Sequence, residues 1–318
     1  MRFFGKTKID FTGKRRIAFI ISIIVIVAGI VSLIMNGGPK YSIDFTGGVT
    51  MELDLTPQEE DAESIEIQDI RDALQKDGIT NLVIQEIGNP ADKNYIQIKT
   101  QTVGSSDEKI SKKIAESVKK HFPDNVDDKT LIRLQEEVGP KIGEELKGKA
   151  ILAIFWALVG IIIYIWWRFE FSFGLSAVAA LFHDVLITVG IFSIAGKEIS
   201  LAIVAALLTI VGYSLNDTIV VFDRIREDIK KYRRDPYGKV INYSINETLS
   251  RTIITSLTTF IVVLSLYLFG GSVIHDFAFA LLVGVIVGTY SSIFVASPLL
   301  VEYFENRQKK GASSRRKR

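Results

Sequence analysis

Hydrophobic and polar positions in this chain fall into long blocks rather than short alternations. Apolar runs occupy residues 17–35, 150–167, 171–195, 199–222, 251–269 and 273–301. Each is close to or longer than the ~20 residues a helix needs to cross a bilayer core. They predict six transmembrane helices, so the chain reads as a polytopic α-helical membrane protein. The first run follows Lys14, Arg15 and Arg16 and resembles a secretory signal. It is longer than a signal core, and Asn36-Gly37-Gly38-Pro39 offers no small-x-small cleavage site, so it is read as an uncleaved anchor.

One long polar segment, residues 36–149, separates the first two runs. Residues 49–55 alternate apolar and polar like a half-buried strand, and Ile65, Ile70, Ala73 and Leu74 follow at helical spacing. Strand-like runs at 82–87 and 95–100 flank the turn residues Gly88-Asn89-Pro90. Ile110, Ile114 and Val118 mark a second helix, and 130–138 a last strand. The order β-α-β-β-α-β predicts one extracytoplasmic α+β ferredoxin-like domain between transmembrane helices 1 and 2. His121 is a lone histidine near a helix end and is read as solvated.

Charge orients the molecule. The 38 Lys+Arg and 36 Asp+Glu nearly cancel, to a net charge of +2. Residues 40–149 hold 15 basic and 23 acidic residues, whereas the segments 1–16, 223–250 and 302–318 are basic. Retention of Lys and Arg on the cytoplasmic side places both termini and the 223–250 connection inside and the acidic domain outside. The chain has no cysteine, which removes thiol catalysis and Cys-based metal sites. No nucleophile–base pair, phosphate loop or HxxxH-type metal spacing is present, so the expectation is neither an enzyme nor a metalloprotein.

The informative residues are polar groups inside the apolar runs, each costing ~2.5–3.5 kcal/mol on insertion. His183-Asp184 lies near the middle of span three, Asn216-Asp217 in span four, Arg251 at the start of span five and His275-Asp276 near the start of span six. Spans four and five are antiparallel, so Asp217 and Arg251 fall at similar depth. Burial makes a carboxylate hold its proton and a nearby guanidinium makes it let go. A movable Arg251 would therefore let Asp217 load and unload, which is the minimum chemistry for coupling to a proton gradient. Ser214, Asn216 and Thr218 on span four and Thr255 on span five supply short polar side chains beside it. For Arg251, the alternative is snorkelling to the interface. For His183-Asp184, a functional and a purely structural role are both open. Gly284-xxx-Gly288 and the small residues Gly174, Ser176, Ala177, Ala179 and Ala180 allow close helix contact.

Several stretches together are similar to one family. They are Ser42-Ile43-Asp44-Phe45-Thr46-Gly47-Gly48, Val138-Gly139-Pro140-Lys141-Ile142-Gly143-Glu144-Glu145-Leu146, His183-Asp184-Val185, the run from Gly212-Tyr213-Ser214-Leu215-Asn216-Asp217-Thr218 to Glu227, and Arg251-Thr252-Ile253-Ile254-Thr255-Ser256. In order and spacing they resemble the SecF family of protein-export membrane proteins, within the resistance-nodulation-division superfamily. The resemblance covers residues from about 16 to 302. It implies a location in the bacterial or archaeal cytoplasmic membrane and a heterodimer with SecD. The further partners it implies are the SecYEG translocon, YajC and the translocating preprotein. It also implies use of proton-motive force, with protons as coupling ion and no other cofactor. Asp217, Arg251 and Asn216 stand at the positions tied to proton conduction, with a SecD carboxylate completing the path. Gly47, Gly48, Gly139, Pro140 and Gly143 stand where the outside domain leaves and re-enters the membrane, as hinges or as tight turns. Half of a lipid or drug exporter and a non-energised membrane scaffold or chaperone are the competing readings.

Overall fold

The computed structural model describes residues 7–55, 65–79, 82–87, 95–100, 107–123 and 131–315. The expected turn at 88–90 lies outside them. The chain divides into two units, residues 41–152 and the remainder.

In the unit of residues 41–152, a four-residue helix α2 (Ile43–Thr46) leads into β1 (Gly48–Asp54). There follow α3 (Ile67–Lys76), β2 (Leu82–Ile87), β3 (Tyr95–Thr100), α4 (Asp107–His121) and β4 (Ile132–Val138). The four strands form one antiparallel sheet in the order β2-β3-β1-β4. Strand period 2 puts Val49, Met51 and Leu53 on the face that meets Ile70 and Leu74 of α3 and Ile114 and Val118 of α4, and this is the core. The amphipathic spacing of α3 and α4 is what lets both helices cover that face. The opposite face of β1 is covered too, since Thr50 and Glu52 are buried.

Two carboxyls in this unit are displaced in opposite directions. Asp77, at the end of α3, accepts from Ser117 Oγ at 2.7 Å and from Lys120 Nζ at 3.2 Å, and His121 Nε2 lies 3.3 Å away. These α4 partners, Ser117 first, hold the Asp77 carboxyl below the usual range. His121 therefore sits against a partner rather than in open solvent. Glu136 on β4 is pushed up, first by partial burial and then by the negative charges of Asp44 and Glu52.

Gly47 and Gly48 have φ of 73° and 144°, conformations that favour glycine. A Cβ on Gly47 would stand 2.7 Å from Pro140 Cα, and one on Gly143 would stand 3.0 Å from Gly47 N. The entry and return of the domain are thus packed backbone to backbone.

Six helices among the described residues are long and apolar enough to cross a membrane. They are α1 (Arg15–Met35), α5 (Pro140–Arg168), α6 (Phe171–Ile194), α7 (Leu201–Lys231), α8 (Tyr237–Phe269) and the continuous run from α9 (Gly271–Ser291) through a π-helical segment (Ser292–Ala296) to α10 (Ser297–Arg315). The helices outrun their apolar stretches. Residues 223–250, read above as a connection, are helical except around 232–236.

In the bundle, α6, α7 and α9 are the inner elements, and α1 and α8 pack outside them. Glycine sets the closest approach: a Cβ on Gly29 of α1 would lie 2.7 Å from Gly190 Cα of α6. Gly284 and Gly288 of α9 make room for Ile210 and Ser214 of α7 in the same way. At one end of the bundle, Asn242 and Asn246 of α8 hold the segment before α1. Asn242 Oδ1 accepts from Phe11 N at 2.8 Å and Asn246 Oδ1 from Ile9 N at 2.9 Å, and both amides donate back to Ile9 O.

Candidate functional site

The polar groups inside the bundle converge where α9 gives way to the π-helical segment. Pro298 explains the irregularity. It lacks an N–H to donate along the helix, and its ring crowds the carbonyl of Phe294, so the preceding turn widens. Ser297 Oγ donates to Ser292 O at 2.8 Å and satisfies a carbonyl within the widened turn.

At this turn two adjacent serines reach two aspartates. Ser291 Oγ donates to Asp184 Oδ2 at 2.7 Å, with Gly288 O a longer alternative at 3.1 Å; Ser292 Oγ lies 3.3 Å from Asp217 Oδ2 and shares its proton with Thr289 O at 3.0 Å. Asp184 is fully buried. It also accepts from Ser214 Oγ of α7 at 2.5 Å and lies 2.8 Å from His183 Nδ1. His183 Nε2 is 2.9 Å from Ser22 Oγ of α1, which is 3.2 Å from Tyr290 Oη. Tyr290 in turn donates to Ala18 O at 2.8 Å. One polar chain thus runs through α1, α6, α7 and α9, and helix packing places its contacts between different helices.

Asp217 is 6% exposed and opens toward α8, where buried Thr252 lies beside it outside hydrogen-bond geometry. Arg251 is near enough for its charge to act on Asp217. Its side chain is exposed, and among the described residues it forms no ion pair. Asn216 is exposed, turned about 100° around α7 from the buried Asp217. Thr218 is buried, and Thr255 is exposed with its hydroxyl turned back to Arg251 O and Thr252 O, both at 3.0 Å. The structure therefore gathers Asp217, Ser214, His183, Asp184 and Thr252 inside the bundle and leaves Asn216, Arg251 and Thr255 on its surface. Asp276 is paired with Lys197 at 2.5 Å, and His275 Nδ1 meets Tyr267 O at 3.2 Å. Ser22, Tyr290, Ser291 and Ser292 were not singled out in the sequence. The one signal for the last two was a polar Ser-Ser pair six residues before a proline in an apolar run.

A six-helix membrane bundle with buried carboxylates and one sizeable α+β domain after its first span defines a polytopic helical membrane protein of the transport type. The chain's sequence matches the model of the SecD/SecF protein-export membrane protein C-terminal region over residues 117–306 and that of the SecD/SecF GG motif over residues 32–59. Protein translocase subunit SecF of Thermodesulfovibrio yellowstonii is 44% identical over 302 residues, 93% of this chain and 95% of that protein. The SecF of Calditerrivibrio nitroreducens is 45% identical over 296 residues, 92% of this chain and 93% of that one. The crystal structure of SecDF from Thermus thermophilus, a translocon-associated membrane protein, is similar with a TM-score of 0.80 at 37% identity. That likeness covers 94% of this chain and 39% of the SecDF chain, so this chain spans about two-fifths of the solved protein. The chain belongs to the SecF family of protein translocase subunits.

Proposed function

We propose that this chain is the SecF half of a SecDF-type assembly that draws on proton-motive force to help preproteins through the SecYEG translocon. In this reading YajC is a further partner, and both termini lie on the cytoplasmic side of the cell membrane. Protons are the coupling ion, and Asp217 is the group that loads and unloads them.

The observation that carries the reading is a polar stripe on the outer face of α8. Arg251, Thr255 and Thr258 are exposed together on a membrane-spanning helix, and Asn216 of α7 is exposed as well. Facing lipid, the Arg251 charge is costly. Covered by SecD, the same stripe brings a partner carboxylate within reach of Arg251, and the buried Asp217 beside it completes the set. The positive charge carried by residues 223–250 supports the orientation.

For the outside unit, the strand order β2-β3-β1-β4 with two helices on one face supports the ferredoxin-like reading. Gly47, Gly48, Gly139, Pro140 and Gly143 are its joint, and the positive φ of Gly47 and Gly48 supports that role.

The test is Asp217→Asn in the reconstituted complex. Gradient-dependent stimulation of preprotein translocation should be lost while assembly with SecD is kept. Stimulation equal to that of the unaltered complex would refute the reading.

A further inference from the structure

We propose that His183 and Asp184 form a second proton-holding site, in which one proton is shared between His183 Nδ1 and Asp184 Oδ1. The direction of the hydrogen bonds carries this. Tyr290 has a single hydroxyl proton, and it goes to Ala18 O, which can only accept. Tyr290 Oη must then accept from Ser22 Oγ, at 3.2 Å. The Ser22 proton is thereby used, so Ser22 Oγ accepts from His183 Nε2, which carries a hydrogen. With Nε2–H fixed, the 2.8 Å contact between Nδ1 and Oδ1 holds one proton, or two lone pairs would face each other. The other carboxyl oxygen, Oδ2, already accepts from Ser214 and Ser291, which leaves Oδ1 for that proton.

Two arrangements satisfy this accounting, imidazolium with carboxylate and neutral imidazole with carboxylic acid. Both are electrically neutral overall and both store one removable proton. Neutrality fits the surroundings. The other charged or titratable groups on the packed helices are Tyr290 on α9, Tyr213 and Asp217 on α7, and residues at the helix ends such as Arg15, Arg16, His275 and Asp276. None of the helix-end groups contacts the pair. The His183 ring also stacks on Tyr290 at 6.1 Å between centroids, which fixes its orientation.

Ser291 and Ser292 sit at the π-helical turn, so a small rotation there moves both hydroxyls at once relative to Asp184 and Asp217. A role in proton passage rests on the reading of Asp217 above, but the protonation of the pair does not. The experiment is chosen to keep the two apart. The full chain with its SecD partner, carrying His121→Gln and His275→Gln so that His183 is the only histidine in this chain, is labelled with nitrogen-15 histidine. SecD is supplied unlabelled. Solid-state NMR in lipid bilayers at neutral pH then reads both ring nitrogens.

The expected result is a protonated Nε2 together with an Nδ1 in a strong, shared hydrogen bond. A neutral ring with bare Nε2 and an ordinary Nδ1–H would overturn the proposal, because Ser22 would then be donating to the ring. In Tyr290→Phe the hydroxyl that orients Ser22 is gone, and a second signal for unprotonated Nε2 should emerge. A Tyr290→Phe spectrum identical to that of the parent would also overturn it. Neither outcome depends on whether Asp217→Asn affects translocation.

Discussion

Ser291 and Ser292 are consecutive, yet their hydroxyls serve different aspartates on different helices, Asp184 of α6 and Asp217 of α7. They stand where α9 gives way to the π-helical turn, so the shape of that turn sets the direction of both side chains. Ser291→Ala leaves a fully buried carboxyl one donor short and should lower stability by ~1–3 kcal/mol. Ser292→Ala removes a longer bond and should cost less. Thermal unfolding of the two variants in the same detergent orders them; equal losses would contradict the geometry.

Pro298→Ala tests the turn itself. A proline in a helix interior costs roughly 3 kcal/mol, so the variant should be more stable as the turn relaxes toward regular helix. On the proposed proton coupling, rotation of Ser291 and Ser292 away from their aspartates should at the same time reduce gradient-dependent stimulation. Raised stability with full stimulation would show that the widened turn is a tolerated defect.

Gly29 and Gly190 cross with no room for a side chain. Alanine at either position forces α1 away from α6 and should cost about 1–3 kcal/mol. The consequence extends along the helix, because Ser22 reaches His183 only while α1 stays close. Cysteine crosslinking between α1 and α6 should fall in both variants, and an unchanged yield would count against the crossing.

The α+β domain should show two pH effects of opposite sign. The depressed Asp77 adds stability that is present above its unfolded value, near pH 4, and is lost as pH falls through the lower folded value. Asp77→Asn should therefore be less stable than the parent at neutral pH, the gap closing in acid. Raised Glu136 works in reverse: the fold is penalised at neutral pH and relieved once the carboxyl takes its proton. Glu136→Gln should be more stable at neutral pH and converge with the parent below about pH 4. Urea unfolding across pH checks both directions.

Asn242 and Asn246 replace secondary structure for the segment before α1, satisfying the backbone of Ile9, Phe11 and Thr12. In Asn242→Ala/Asn246→Ala the amides of Ile9 and Phe11 should exchange with solvent at least about tenfold faster, the loss of ~1.4 kcal/mol or more of protection expected when two such bonds go. Exchange at the parental rate would place the protection elsewhere.

The spans, the α+β domain and its strand–helix order were legible because each rests on local rules. A bilayer sets a helix length, a strand repeats every two residues and an amphipathic helix every 3.6. Asp217 stood out for the same reason, as a short acidic side chain in an apolar run. The partners of these polar groups were not legible. Ser22 meets His183 across 161 positions, and Ser291 meets Asp184 across 107. Such meetings depend on how far each helix is rotated and how closely two helices cross, quantities set jointly by Gly29 with Gly190, Gly288 with Ser214, and the turn before Pro298. Apolar runs and the charges within them were enough to say which segments enter the membrane and what they carry. Tertiary packing alone decided that Asp184 would sit inside a closed hydrogen-bonded chain and Arg251 on an open face, because a side chain's surroundings are fixed by neighbours that no local pattern encodes.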